Sequence, residues 1–146
     1  MKITYKGDYA LKALLDLTLH YEQKLSTIND VAKRIDAPVK FLEQVLLDLK
    51  KGGFVESRRG KVGGYLLAKS PSRITLGEVV RFIDGPIEPI ACLESRYVNC
   101  LDLNKCVFKR IWRDVYKATS GIIDNITFEE LANRASFGEQ VLTYSI

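Results

Sequence analysis

Apolar residues recur along the first half of the chain at helical spacing. From Asp8 to about Tyr21, Leu11, Leu14, Leu15 and Leu19 follow the i, i+3, i+4, i+8 stripe of an amphipathic helix. A second helix is predicted from Thr27, where the cap hydroxyl and the Asp30 carboxylate make a capping box and Ile28, Val31, Ala32 and Ile35 share one side. It should stop near Asp36, because Ala37 precedes Pro38, which suits the first turn of a new helix and not the interior of an old one. The third helix then runs to Lys51 with Leu42, Val45, Leu46 and Leu49 inward, and Gly52-Gly53 ends it. Phe54–Ser57 and Tyr65–Ala68 are strand candidates around the basic, glycine-rich run Arg58–Gly64, and so predict a hairpin. A second capping box, Thr75 with Glu78, opens a helix faced by Leu76, Val79, Val80 and Ile83 that Gly85 and Pro86 stop. From about Leu103 or Lys105 a long helix carries Val107, Ile111, Val115, Ala118 and Ile122 on a near-heptad stripe, with Trp112 beside it. No strong pattern follows Asn133, so residues 133–146 are expected to be a tail without fixed structure.

Helix, two helices joined by a tight turn, then a hairpin is the order of a winged helix-turn-helix. The predicted fold is therefore mainly α with one small β-hairpin. Residues 1–84 would form the DNA-binding unit, residues 85–106 a cysteine-rich segment, and residues 103–132 the long helix with a short terminal one. In that frame the outward positions near the start of the third helix are Lys40, Phe41, Glu43 and Gln44, side chains able to touch base edges or a thymine methyl. Arg58, Arg59 and Lys61 on the hairpin loop carry the charge needed for phosphates or a narrow minor groove. Taken singly these are ordinary solvent-facing residues; their order within one segment makes them a candidate nucleic-acid surface. The loop lacks the G-x4-G-K-[ST] spacing of a nucleotide cradle.

Charge sharpens the division. Residues 1–70 hold thirteen Lys and Arg against eight Asp and Glu, whereas residues 71–146 hold nine against ten. The basic half is the half with the helix-turn-helix pattern. No apolar run approaches the roughly 20 residues of a membrane span, and the N-terminus has no signal-peptide hydrophobic region, so a cytoplasmic protein is expected. A single histidine, His20, leaves no nucleophile, base and carboxylate set for an enzyme.

All three cysteines fall in one short stretch, Cys92-x7-Cys100-x5-Cys106. Thiolates are soft ligands, and three in one segment can converge on one metal centre. The odd number argues against a disulfide framework, and the spacing is too wide for the C-x2-C knuckles of structural zinc, which leaves zinc the weaker alternative. Interior thiols are the plain alternative, but Asn99, Asp102, Asn104 and Lys105 make the segment too polar for continuous core. A metal-free thiol switch would use the same residues.

Thr4–Ala10, Phe41–Gln44, Ser57–Leu67 and Ile74–Val80, with the three cysteines and Ile111–Asp114, resemble the Rrf family of bacterial transcription regulators across nearly the whole chain. The resemblance implies a homodimeric winged-helix regulator that reads a roughly palindromic operator on double-stranded DNA. It also implies an iron-sulfur cluster, 2Fe-2S or 4Fe-4S, on Cys92, Cys100 and Cys106, with oxygen, nitric oxide or iron limitation as the signal. Members of the CymR-like branch lack these cysteines. In the IscR-like branch, which controls cluster biogenesis, a histidine three residues after the last cysteine completes the site. Here that position is Lys109, whose ammonium has no lone pair to give. In the nitric-oxide-sensing NsrR-like branch the fourth ligand is an aspartate near the start of the first helix of the partner subunit, a position held here by Asp8. Trp112-Arg113-Asp114 and Asp124–Leu131 look more IscR-like, and in that branch the glutamate at position 43 helps discriminate operator classes. Because a palindrome needs two reading heads, the stripe Val107, Ile111, Val115, Ala118 and Ile122, with Trp112, is expected to pair two chains.

Overall fold

The computed structural model describes residues 1–23, 25–94 and 106–144. The element order is α1 (Tyr5–Leu19), α2 (Ile28–Ile35), α3 (Val39–Lys51), β1 (Val55–Arg58), β2 (Gly64–Leu67), α4 (Leu76–Asp84), α5 (Val107–Ile123) and α6 (Phe128–Tyr144). The strands pair antiparallel with Val55 opposite Leu67 and Arg58 opposite Gly64, the hairpin expected from the sequence.

Local chemistry sets the helix starts. At α2, Asp30 N–H donates to the Thr27 hydroxyl (3.1 Å) while Thr27 N–H donates to the Asp30 carboxylate (3.2 Å); Thr75 and Glu78 repeat the arrangement at α4. Helix α2 ends on Asp36 in the left-handed region (φ 53°), and Pro38 is the residue before α3, not a member of its first turn. Helix α1 starts at Tyr5, ahead of the Asp8 start expected from the leucine spacing, because Thr4 caps it and accepts from Gly7 N–H (3.0 Å).

The inward face of α1 also differs from expectation. Ala10, Ala13, Leu14 and Leu17 are buried, Leu11 and Leu15 are partly buried, and Leu19 is exposed. The reason is tertiary: α1 is packed by α2, α3, α4, α6 and β2, so it has no single apolar side, and the two alanines let neighbouring helices approach. Around it close Val31 and Ala32 of α2, Leu42, Val45, Leu46 and Leu49 of α3, and Phe54, Val55, Leu67, Ile74, Val79 and Phe128. Burying each of the large members is worth about 1.5–3 kcal/mol.

A smaller cluster, Val80, Ile87 and Ile123, ties α4 to α5, reinforced by Arg81 donating to Asp124 (3.0 Å for Nη2). A Cβ on Gly77 would overlap the Asp124 carboxylate, so the glycine permits this approach. Residues 126–128 bridge back to residues 74–76 through Leu76 N–H to Ile126 O (2.9 Å) and Phe128 N–H to Ile74 O (3.0 Å). That anchor starts α6. The patternless tail expected from residue 133 is instead the continuation of α6 to Tyr144.

Candidate nucleic-acid interface and cysteine site

Helix α2 is braced against α1 and the hairpin by a network the sequence did not reveal. Asp16 on α1, only 6% exposed, accepts from Arg34 Nε (2.9 Å) and Nη2 (2.8 Å), and Arg34 Nη2 also donates to the Ser26 hydroxyl (2.7 Å). Ser26 exchanges two backbone hydrogen bonds with Tyr65 of β2 (3.0 and 2.7 Å). One ion pair with a buried carboxylate thus links α1, α2 and the hairpin. His20 sits beside it, its Nδ1 2.8 Å from the Asp16 carbonyl, in keeping with a partly buried structural role.

On α3, Lys40, Glu43 and Gln44 stand in solvent, as does Leu47. Phe41 does not join them. Its ring packs edge-on against Tyr9 (centroids 5.4 Å apart, 75° between planes), so it is half-buried and supports the helix from behind. Gln44 Nε2 donates to Asp48 (3.3 Å), whose carboxylate is ion-paired with Lys6 of α1. The Lys6 hydrogen bond, with its charge, holds the Asp48 carboxyl below the ordinary range. At the far end of α3, Lys50 donates to the Ser57 hydroxyl (2.6 Å), joining the helix to the hairpin.

The hairpin presents Arg58, Arg59 and Lys61 in solvent, with Val62 at its tip. Among the described residues only Arg58 of the three has an ion-pair partner, Glu56 at 4.0 Å. The turn needs Gly60 at φ 123°, and Gly64 lies so close to Ser26 that a Cβ would come 2.6 Å from its carbonyl oxygen. An exposed helix face beside an unneutralised basic turn can engage a groove and its flanking phosphates.

Cys92 lies in a 3-10 turn, Ala91–Leu93, that packs on α5, and Cys106 is the residue preceding α5. Both are half-buried free thiols. Cys100 lies outside the described residues. Two accessible soft donors at the two ends of the segment fit a sulfur-bound metal group in kind. Among the described residues no three His, Cys, Asp or Glu side chains come together. Lys109 lines a cavity of about 350 Å3 with Cys92, Leu93, Arg113, Tyr116 and Lys117. Asp8 does not line this cavity; it lines a hollow of about 630 Å3 with Lys2, Ile3, Thr4 and Tyr5 and pairs with Lys12 (2.6 Å). That contact raises the Lys12 pKa.

Along α5 the predicted stripe is uncovered: Val107 is 74% exposed and Ile122 65%, with Ile111, Trp112, Val115 and Ala118 exposed between them. Only Ile123 is buried on this helix. Among the described residues no helix is long and apolar enough to cross a membrane.

Residues 3–134 match the Rrf2 family, described as iron-dependent transcriptional regulators. An rrf2-like HTH-type transcriptional regulator of Rhodobacter capsulatus is 41% identical over 136 residues, covering 88% of this chain and 91% of the relative. The HTH-type transcriptional regulator IscR of Serratia proteamaculans is 36% identical over 133 residues, covering 91% and 80%. In three dimensions the chain is similar to CymR, the global cysteine regulator of B. subtilis (TM-score 0.78, 29% identity, 92% and 98% covered), and to T. potens IscR (TM-score 0.73, 30% identity, 92% and 88% covered). These relatives are regulators and not enzymes, and the winged helix is theirs. The chain belongs to the Rrf2 family of transcriptional regulators.

Proposed function

We propose that this regulator is a homodimer that inserts α3 into the major groove of a palindromic operator, with its affinity set by an iron-sulfur cluster on Cys92, Cys100 and Cys106. The observation that carries the reading is the position of the two described cysteines: one in a turn packed on α5 and the other at the residue that begins α5, the helix with the uncovered apolar stripe. Lys40, Glu43 and Gln44 read base edges, while Arg59 and Lys61 hold phosphates or the minor groove beside them. Two copies paired through Val107, Ile111, Val115, Ala118 and Ile122 place two α3 helices for half-sites about 34–36 Å apart. When bound, the cluster supplies one-electron and ligand-loss chemistry that registers oxidants, nitric oxide or iron supply. The protein's part is to couple the cysteine-bearing turn Ala91–Leu93 and the start of α5 to the paired helices, biasing their tilt by no more than the free-energy difference between the loaded and unloaded states. Asp8 of the opposite subunit is the carboxylate offered as fourth ligand, its helix-start position making it accessible from outside its own chain.

Anaerobic purification followed by iron and sulfide assay and a visible spectrum tests the cofactor. Iron, sulfide and colour are expected; a colourless zinc protein, or a metal-free one whose DNA binding follows oxidant alone, would replace the cluster with zinc or with a thiol switch. Mössbauer spectra of wild type and Asp8→Ala identify the fourth ligand: a changed iron site supports Asp8, and identical spectra remove it.

A further inference from the structure

The polar side chains that α3 offers to solvent near its start are not equally held. Among the described residues Lys40 and Glu43 make no hydrogen bond or ion pair, whereas Gln44 Nε2 donates to Asp48 Oδ1 (3.3 Å) one turn along the helix. Asp48 is itself pinned. Its Oδ2 is buried and ion-paired with Lys6 in the first turn of α1, and its side chain is 17% exposed. Each carboxylate oxygen thus has its own partner, one on α3 and one on α1, so the group cannot turn without breaking a contact. Chemistry also fixes which end of the amide faces it. An ionised carboxylate only accepts, and Lys6 keeps Asp48 ionised, so the Gln44 atom against Oδ1 is the nitrogen and not the oxygen.

A glutamine whose amide turns freely discriminates poorly, since a half-turn about its last bond swaps donor for acceptor. Committing one Nε2 hydrogen to Asp48 removes that choice. What remains is Oε1 and the second Nε2 hydrogen, one acceptor and one donor, the complement of the N6 donor and N7 acceptor on adenine's major-groove edge. Guanine offers two acceptors there, O6 and N7, so Oε1 would meet one of them unpaired. We propose that Asp48 is a positioning residue for base readout, orienting the Gln44 amide and thereby selecting adenine at one base pair of the operator half-site. The inference rests on the reading above in which α3 enters the major groove, and it does not involve the cofactor. Because the Gln44 amide is ordered before DNA arrives, it loses less rotamer freedom on binding than Lys40 or Glu43.

The test uses the full chain and a duplex selected from random sequence, with each base pair of one half-site changed in turn to the other three and relative affinities read by competition fluorescence anisotropy. Gln44→Ala locates the position that Gln44 reads, as the one whose preference collapses. In wild type adenine should be favoured there by about tenfold. In Asp48→Asn, which keeps the shape but can donate to Oε1, that preference should fall to about threefold or less while the other positions keep their wild-type preferences. Asp48→Ala should do the same, and its stronger helix propensity keeps the test open if the asparagine variant folds poorly. Asp48→Glu, which restores an ionised acceptor, should recover at least half of the wild-type preference. A Gln44-dependent position that favours another base, Asp48 variants with the wild-type preference, or Asp48 variants that weaken every sequence alike overturn the inference and leave the α3 reading standing. A Gln44→Ala protein with unchanged preferences at every position overturns the inference and removes Gln44 from the reading surface.

Discussion

Replacing Asp16 by alanine removes the acceptor on which Arg34 is built. The carboxylate accepts from Arg34 at 2.8, 2.9 and 3.1 Å and is nearly buried, while the Arg34 side chain is 31% exposed. That asymmetry decides the magnitudes. After Asp16→Ala the guanidinium can turn partly to water, so the loss should be about 2–3 kcal/mol, below the roughly 3–5 kcal/mol of a fully buried pair. After Arg34→Ala the nearly buried carboxylate loses the guanidinium that satisfies it, and about 3–5 kcal/mol is expected. Thermal denaturation followed by circular dichroism reads these as falls of about 2–4 °C per kcal/mol for a chain of this size. Because the two residues act on each other, the double variant should cost about 1.5–3 kcal/mol less than the sum of the singles. Arg34 also holds Ser26, the residue hydrogen-bonded to Tyr65 of the hairpin, so each single variant should loosen the wing and weaken DNA binding beyond its effect on the folded fraction. Additive losses, or an Arg34→Ala change under 0.5 kcal/mol, would refute the reasoning.

The wing charges should behave as phosphate contacts: Arg59→Ala with Lys61→Ala should reduce the slope of log affinity against log salt by about 1.8 and weaken all sequences alike, as measured by fluorescence anisotropy, whereas an unchanged slope removes the wing from the interface. Gly64→Ala forces a Cβ to within 2.6 Å of the Ser26 carbonyl at the fixed start of α2, and should cost about 1–3 kcal/mol and speed hydrogen exchange at Ser26 and Tyr65; unaltered exchange there would contradict the close approach. Asp48 is held below its usual 3.8 by Lys6, so the stabilisation it brings is complete above that value and disappears as pH falls through the lower folded-state pKa. Lys6→Met should therefore flatten the stability profile between neutral pH and about pH 3 in denaturant titrations, and an unchanged profile would show the pair to be inert.

What could be read in the sequence was whatever depends on near neighbours. Thr27 with Asp30 and Thr75 with Glu78 announced two helices because a capping box closes within four residues. The hairpin followed from glycines that its turn requires. The buried face of α1 could not be read, since Ala10, Ala13 and Leu17 are selected by helices far away in the chain and the leucine stripe misdirects. Asp16 and Arg34 look like any surface pair until the fold brings them together across eighteen residues, and the Thr4 hydroxyl meets Asp84 across eighty. Phe41 was assigned outward by helical position, but its partner Tyr9 lies on another helix. Lys40, Glu43, Gln44, Arg58, Arg59 and Lys61 are exposed as the sequence leads one to expect, because exposure on a short amphipathic helix and on a turn is a local property. The cysteines were recognisable as a group by chemistry alone; Cys92 and Cys106 lie at the two ends of their segment, and Cys100 is outside the described residues.

The central claim is that a sulfur-bound cofactor changes how this protein holds DNA. The direct measurement is anaerobic fluorescence anisotropy with a duplex selected from random sequence, comparing loaded with chelator-stripped protein, in wild type and in the variant carrying Cys92→Ser, Cys100→Ser and Cys106→Ser. Wild-type affinity or sequence preference should differ between the two forms by about fivefold or more, and the triple variant should behave as the stripped protein throughout. Equal binding by loaded and stripped wild type would contradict the account.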